Sequence, residues 1–125
     1  MLIDIKHHDQ VCIVHCEGRL VAGPEIEYMQ AKMDDIRRLE CSTMLADFQD
    51  VTCIGSMGVT FIVDIYTSVV RKPGGRFVLT GALPAVERVL ELTGLGNLIP
   101  QASDLASGLE FLQAEAAVRS MAVAR

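Results

Sequence analysis

Short apolar runs rich in Ile and Val occupy Leu2 to His7 and Val11 to Cys16, with His8, Asp9 and Gln10 between them. That pattern predicts two strands joined as a hairpin. Gly18, Gly23 and Pro24 then interrupt the chain, and a proline just inside a helix start is tolerated because its missing N–H would have had no partner. A helix is therefore expected from about Pro24, with Ile26, Met29, Met33 and Ile36 forming one apolar stripe and Glu25, Glu27, Lys32, Asp34 and Arg37 lying off it. Thr43 to Phe48 reads as a buried strand followed by a turn at Gln49 and Asp50.

From Met57 to Arg71 local preference and length disagree. The segment is loaded with β-branched Val59, Ile62, Val63, Ile65, Val69 and Val70, which favours a strand. About fifteen residues exceed a typical strand, however. Ser56 stands in a capping position, and Lys72, Pro73, Gly74 and Gly75 close the segment, so a buried helix is expected. A strand at Arg76 to Thr80 follows, then a helix opened by Pro84, carrying Val86, Val89, Leu90 and Leu92 and stopped by Gly94. Asn97 to Pro100 allows a short strand, and Asp104 to about Glu115 a last helix with Leu105, Leu109 and Leu112 on one side. Two strands followed by alternating helices and strands predict an α/β fold with mixed strand directions.

The bulk composition narrows the function. A chain of 125 residues is the size of one domain. With half its residues hydrophobic it can offset its ordering entropy and should be globular. The net charge is -5, and no basic cluster appears, which argues against nucleic acid as a partner. No stretch reaches the roughly 20 apolar residues of a membrane span, and the N-terminus lacks a signal-peptide pattern, so a cytoplasmic protein without membrane insertion is expected. In that compartment Cys12, Cys16, Cys41 and Cys53 read as buried thiols. Cys12 and Cys16, if on one strand, would stand about 13 Å apart, too far for a disulfide.

Other residues give weaker chemistry. His7 and His8 alternate across the hairpin, and no thiol or carboxylate spacing joins them or His15 into a metal set, so all three read as surface histidines. Asp47 and Asp50 read as backbone caps at a strand end before they read as an acid and base pair. The GSMG segment lacks the lysine and longer spacing of a phosphate-binding loop. No cofactor, metal or enzymatic activity is expected.

Four stretches carry a family resemblance: EGRLVAGPE, MLADFQDVTCIGSMGV, KPGGRFVLTGALPAVERVLELTGLGNLI and an Ala- and Leu-rich C-terminal helix. In order and spacing, over residues 1–113, they resemble the STAS family, whose members include the bacterial anti-sigma factor antagonists. Residues 114–125 would then be a helical extension or a frayed tail. The resemblance implies a STAS-like mixed β-sheet of four to five strands with about four helices. The family's signature loop commonly reads Asp, a phosphorylated Ser or Thr, Ser or Thr, then Gly; the matching positions are Gly55, Ser56, Met57 and Gly58. The phosphoacceptor position is kept as Ser56, while Gly55 and Met57 depart from the pattern.

In relatives, the unmodified domain binds an anti-sigma factor that is often also a serine kinase; phosphorylation ends the binding and a phosphatase restores it. By resemblance, Ser56 is the phosphoacceptor, and Thr52, Gly55, Met57, Gly58 and Val59 with the following helix form the docking surface, bordered by Asp47 and Asp50. Met57 and Val59 supply its apolar centre, unless both belong to the core. A second reading is a constitutive interaction module in a signalling or transport complex. A third, an enzyme or redox protein, would need a reactive thiol near a base.

Overall fold

The computed structural model describes residues 1–123, with side chains described to residue 114. Strands β1 (Leu2–His8) and β2 (Val11–Leu20) pair antiparallel, with His8 opposite Val11. Asp9 and Gln10 both take positive φ between them, the two-residue hairpin geometry that suits the right-handed strand twist. The chain continues through α1 (Ile26–Arg38), β3 (Thr43–Ile54), α2 (Ser56–Val70), β4 (Arg76–Thr80) and α3 (Pro84–Leu92). A 3-10 turn at Leu95–Asn97, β5 (Gln101–Ala102) and α4 (Leu105–Val123) complete it. Strand order is β1-β2-β3-β4-β5, and every pair after the hairpin is parallel. The expected mixed α/β sheet is present, with five strands and four α-helices among the described residues.

Alternation along the strands builds two cores. Cys12, Val14, Met44, Ala46, Phe77 and Leu79 face one way, into the apolar faces of α1, α2 and α3. Val11, Leu45 and Val78 face the other way, under Leu112 of α4. The segment from Met57 is a helix whose inner face is covered: Phe61, Ile62, Ile65 and Val69 are buried along one stripe, and tertiary burial outweighs β-branched preference.

Several expectations are corrected. β3 does not turn at Gln49 and Asp50 but runs to Ile54, carried past them by a register shift against β2. The short strand expected at Asn97 to Pro100 is displaced to Gln101–Ala102, because the chain first makes a 3-10 turn. α1 starts at Ile26, with Pro24 in the turn before it. Leu92 and Leu105 lie off the buried faces of their helices and are exposed. How an extension at 114–125 packs lies outside the described residues.

The cysteines are not four buried thiols. Cys12 on β2 and Cys41, just before β3, form a disulfide with Cα atoms 6.2 Å apart, closing a sequence separation of 29. Cys16 is free and buried, and Cys53 is free and half-buried. Parallel pairing of β2 with β3 brings Cys12 opposite Met44, so the bonded partner comes from a distant run that local spacing does not reveal.

Candidate functional site

The signature loop lies where β3 passes into α2, beside the end of β2. The Gly55 amide donates to the Leu20 carbonyl at 2.9 Å, and the Gly55 carbonyl accepts from Val59 at 3.0 Å, which pins the start of α2 to β2. Gly55 is the helix N-cap and Ser56 the first helical residue, one position later than the cap expected from sequence. Among the described residues, no side chain caps this helix. The Ser56 side chain is exposed, and the first turn contains no acidic residue. An exposed hydroxyl is thus set beside helix-terminal amides that have no intrahelical partner, at the positive end of the macrodipole.

Gly58 is buried, so it offers no surface to a partner, contrary to its expected place in the docking set. A Cβ there would stand 2.5 Å from the Leu20 carbonyl oxygen and 3.0 Å from the Ile54 and Leu20 Cβ atoms. The glycine lets α2 sit directly on the ends of β2 and β3. Met57 and Val59 are half-buried and pack against the main core, which leaves part of each at the surface. Thr52 is exposed, with its hydroxyl 3.4 Å from the Gly18 carbonyl. Gly55 has ordinary backbone (φ -109), and an added Cβ would make normal contact with Val21 at 3.4 Å.

The two aspartates behave differently from a shared acidic border. Asp47 is buried, 4% exposed. Its Oδ1 accepts from the Gln49 amide at 3.3 Å, and its Oδ2 accepts from Gln49 Nε2 at 3.1 Å and from His15 Nδ1 at 3.0 Å. It therefore ties together the irregular part of β3, a capping role close to the one expected of it. Asp50 is exposed.

His15 is no isolated surface histidine. Its Nε2 lies 3.1 Å from Glu17 Oε1 and 3.2 Å from Asp50 Oδ2. The missed signal is a β-bulge. His15 pairs with Asp47 and Glu17 with Asp50, so two steps on β2 match three on β3. The extra residue brings Asp50 to the same side as Asp47, whereas an unbroken strand would put them on opposite faces. Only the His15 and Glu17 half of this cluster, two residues apart on one strand face, is visible in the sequence.

Burial works to lower the His15 pKa, but hydrogen bonds to Asp47 and Glu17 and attraction to Asp47 and Asp50 outweigh it, so the value is raised above 6.5. A raised folded-state pKa means the imidazolium's stabilising contribution is fully present below the unfolded value, near 6.5, and is lost as pH rises through the folded value. In chelator-treated protein, NMR titration should place the His15 midpoint above 6.5. A midpoint at or below that value would contradict this electrostatic reading.

A small mixed sheet with three helices on one face, a hairpin edge and an exposed serine opening the second helix defines the class. The STAS domain model matches residues 3–108, and the chain belongs to the STAS family. Among curated proteins it is similar to the anti-sigma F factor antagonist of Paenibacillus polymyxa, 26% identical over 99 residues, 78% of this chain and 83% of that protein. Among solved structures it resembles an anti-sigma factor antagonist from Mycobacterium paratuberculosis, with TM-score 0.79, 20% identity, and 90% of this chain and 93% of that one covered. It also resembles the Bacillus cell fate determinant SpoIIAA in its phosphorylated form, with TM-score 0.60, 18% identity, and 82% and 92% covered. At these identities the structural matches speak for the fold. Among the described residues, no helix is long and apolar enough to cross a membrane.

Proposed function

We propose that this STAS domain is an anti-sigma factor antagonist: its unmodified form binds an anti-sigma factor, and phosphorylation of Ser56 ends that binding. One observation carries the reading, the exposed Ser56 hydroxyl on the first turn of α2, free of any capping role. The docking surface consists of Thr52, Gly55, Ser56 and the outward parts of Met57 and Val59, with Asp50 as the acidic neighbour on β3. Gly58 and Asp47 shape this surface from beneath.

A phosphate adds about -1.5 to -2 charges, and the uncapped amides and dipole of α2 accommodate it without disturbing the fold. A protein docked on the same spot must instead bury or repel that charge. The partner would be an anti-sigma factor, itself the serine kinase or acting beside one, with a phosphatase reversing the step. Such partners place the domain in the cytoplasm. Redox or hydrolytic chemistry has less support, since burial holds the Cys16 thiol well above the ordinary cysteine range and the Cys12 and Cys41 sulfurs are bonded.

The test is competition: added unmodified domain should displace sigma factor from its anti-sigma factor, and the Ser56-phosphorylated domain should not. Displacement by both forms would favour the constitutive module. Gly55→Asp restores the family's carboxylate at a position whose backbone and surroundings accept a side chain. The variant should be phosphorylated faster than the parent by the cognate kinase, and equal rates would show that Gly55 does not limit modification.

A further inference from the structure

Across the α4 side of the sheet, the rows of side chains change character. Ile13, Leu45 and Val78 are register neighbours and form the apolar row beneath α4. One row further along are His15, Asp47 and Thr80, again register neighbours on the same face. Thr80 is fully buried, and its hydroxyl has no hydrogen-bond partner among the described residues. Its methyl group lies against Gly108 of α4, where a Cβ would come within 2.4 Å. A buried polar row ending in an unpaired hydroxyl is not what packing alone selects.

The same row opens outward into Glu17 and Asp50. Asp47, a carboxylate, can only accept from His15 Nδ1, so that nitrogen carries the ring proton of the neutral imidazole and Nε2 presents a lone pair. Nε2 then faces Glu17 Oε1 at 3.1 Å and Asp50 Oδ2 at 3.2 Å, so with the neutral ring three acceptor atoms converge. Protonation answers this only in part: one Nε2–H bonds Glu17, while Asp50 stays at ion-pair distance without a hydrogen bond.

We propose that His15, Glu17 and Asp50 form a binding site for a first-row divalent transition cation such as zinc. The three donor atoms lie within 4.8 Å of one another. A cation about 2.0–2.2 Å from each ligand sets neighbouring donors about 2.8–3.6 Å apart, between the octahedral and tetrahedral limits, and the Nε2–Glu17 and Nε2–Asp50 separations of 3.1 and 3.2 Å lie in that range. Mixed imidazole and carboxylate ligation suits this class of ion. Asp47 is the positioning residue, a buried carboxylate holding Nδ1 so that Nε2 is aimed at the ion, the arrangement common behind metal-bound histidines. The half-exposed Glu17 and exposed Asp50 leave the remaining coordination positions to water or to a partner's side chain. The site stands independently of the Ser56 reading.

The probe is zinc chloride titrated into the full, chelator-stripped chain, followed by calorimetry and by the imidazole nitrogen resonances. One equivalent should bind in the micromolar range, with the His15 Nε2 resonance responding first. Glu17→Gln and Asp50→Asn, both at solvent-reached positions, should each weaken binding at least tenfold with unchanged melting, and His15→Gln should abolish it. A double change of His7 and His8 to Gln should leave binding intact. No saturable micromolar binding, or binding that survives His15→Gln or is lost with His7 and His8, would overturn the proposal.

Discussion

Replacing Ser56 with Asp should weaken anti-sigma factor binding about 100-fold, a loss of about 2.8 kcal/mol, with no fall in thermal stability. The two halves of this expectation have separate causes. A carboxylate on the first turn of α2 meets the positive helix end and stabilises the isolated domain by about 0.3–1 kcal/mol. In the complex the same charge is trapped against the partner and must be desolvated. Ser56→Ala removes the hydroxyl without adding charge and should bind within a few-fold of the parent. Titration calorimetry against the cognate anti-sigma factor, with a melting curve for each variant, separates the effects. If Asp and Ala bind alike, the docking surface lies elsewhere.

Gly58→Ala should destabilise the domain by about 2 kcal/mol. Alanine gains roughly 1 kcal/mol over glycine in helix preference. Its methyl would nevertheless sit 2.5 Å from the Leu20 carbonyl oxygen, a backbone atom that cannot rotate aside. Overpacking of this kind costs up to about 3 kcal/mol, so the clash wins. The first turn of α2 would lift away from β2, and Ser56 would move with it. Gly55→Ala, where a Cβ meets only Val21 at 3.4 Å, is the control and should cost far less. Denaturant midpoints for the two variants decide the matter; equal midpoints would mean that close helix-to-strand packing does not set the position of the serine.

Where the sequence is legible, periodicity and punctuation agree. The α1 stripe of Met29, Met33 and Ile36 is buried as expected, and α3 starts at Pro84 and ends before Gly94, which has positive φ. The α2 segment shows that length and bounding residues can outweigh β-branched preference once one face is buried against the core. The position of Ser56 was readable to within one residue, yet the cap role expected of it passes to Gly55 because α2 begins with the serine already helical.

What stayed hidden depends on contacts between distant strands. The β3 bulge leaves no local mark: Gln49 and Asp50 look like turn residues, so the sequence pattern ends β3 early and gives no sign that His15 meets Asp50. Asp47 looks like any acidic strand-end residue until its pairing with His15 is known. The Cys12–Cys41 bond needs β2 and β3 to be neighbours before it can be drawn.

The most direct measurement on the central claim is a phosphopeptide map of the folded domain after incubation with ATP and its cognate anti-sigma kinase. One phosphate should be found, on Ser56, and Ser56→Ala should acquire none. An unmodified domain, or a phosphate on some other hydroxyl with Ser56 untouched, would contradict the role given to the residue that opens α2.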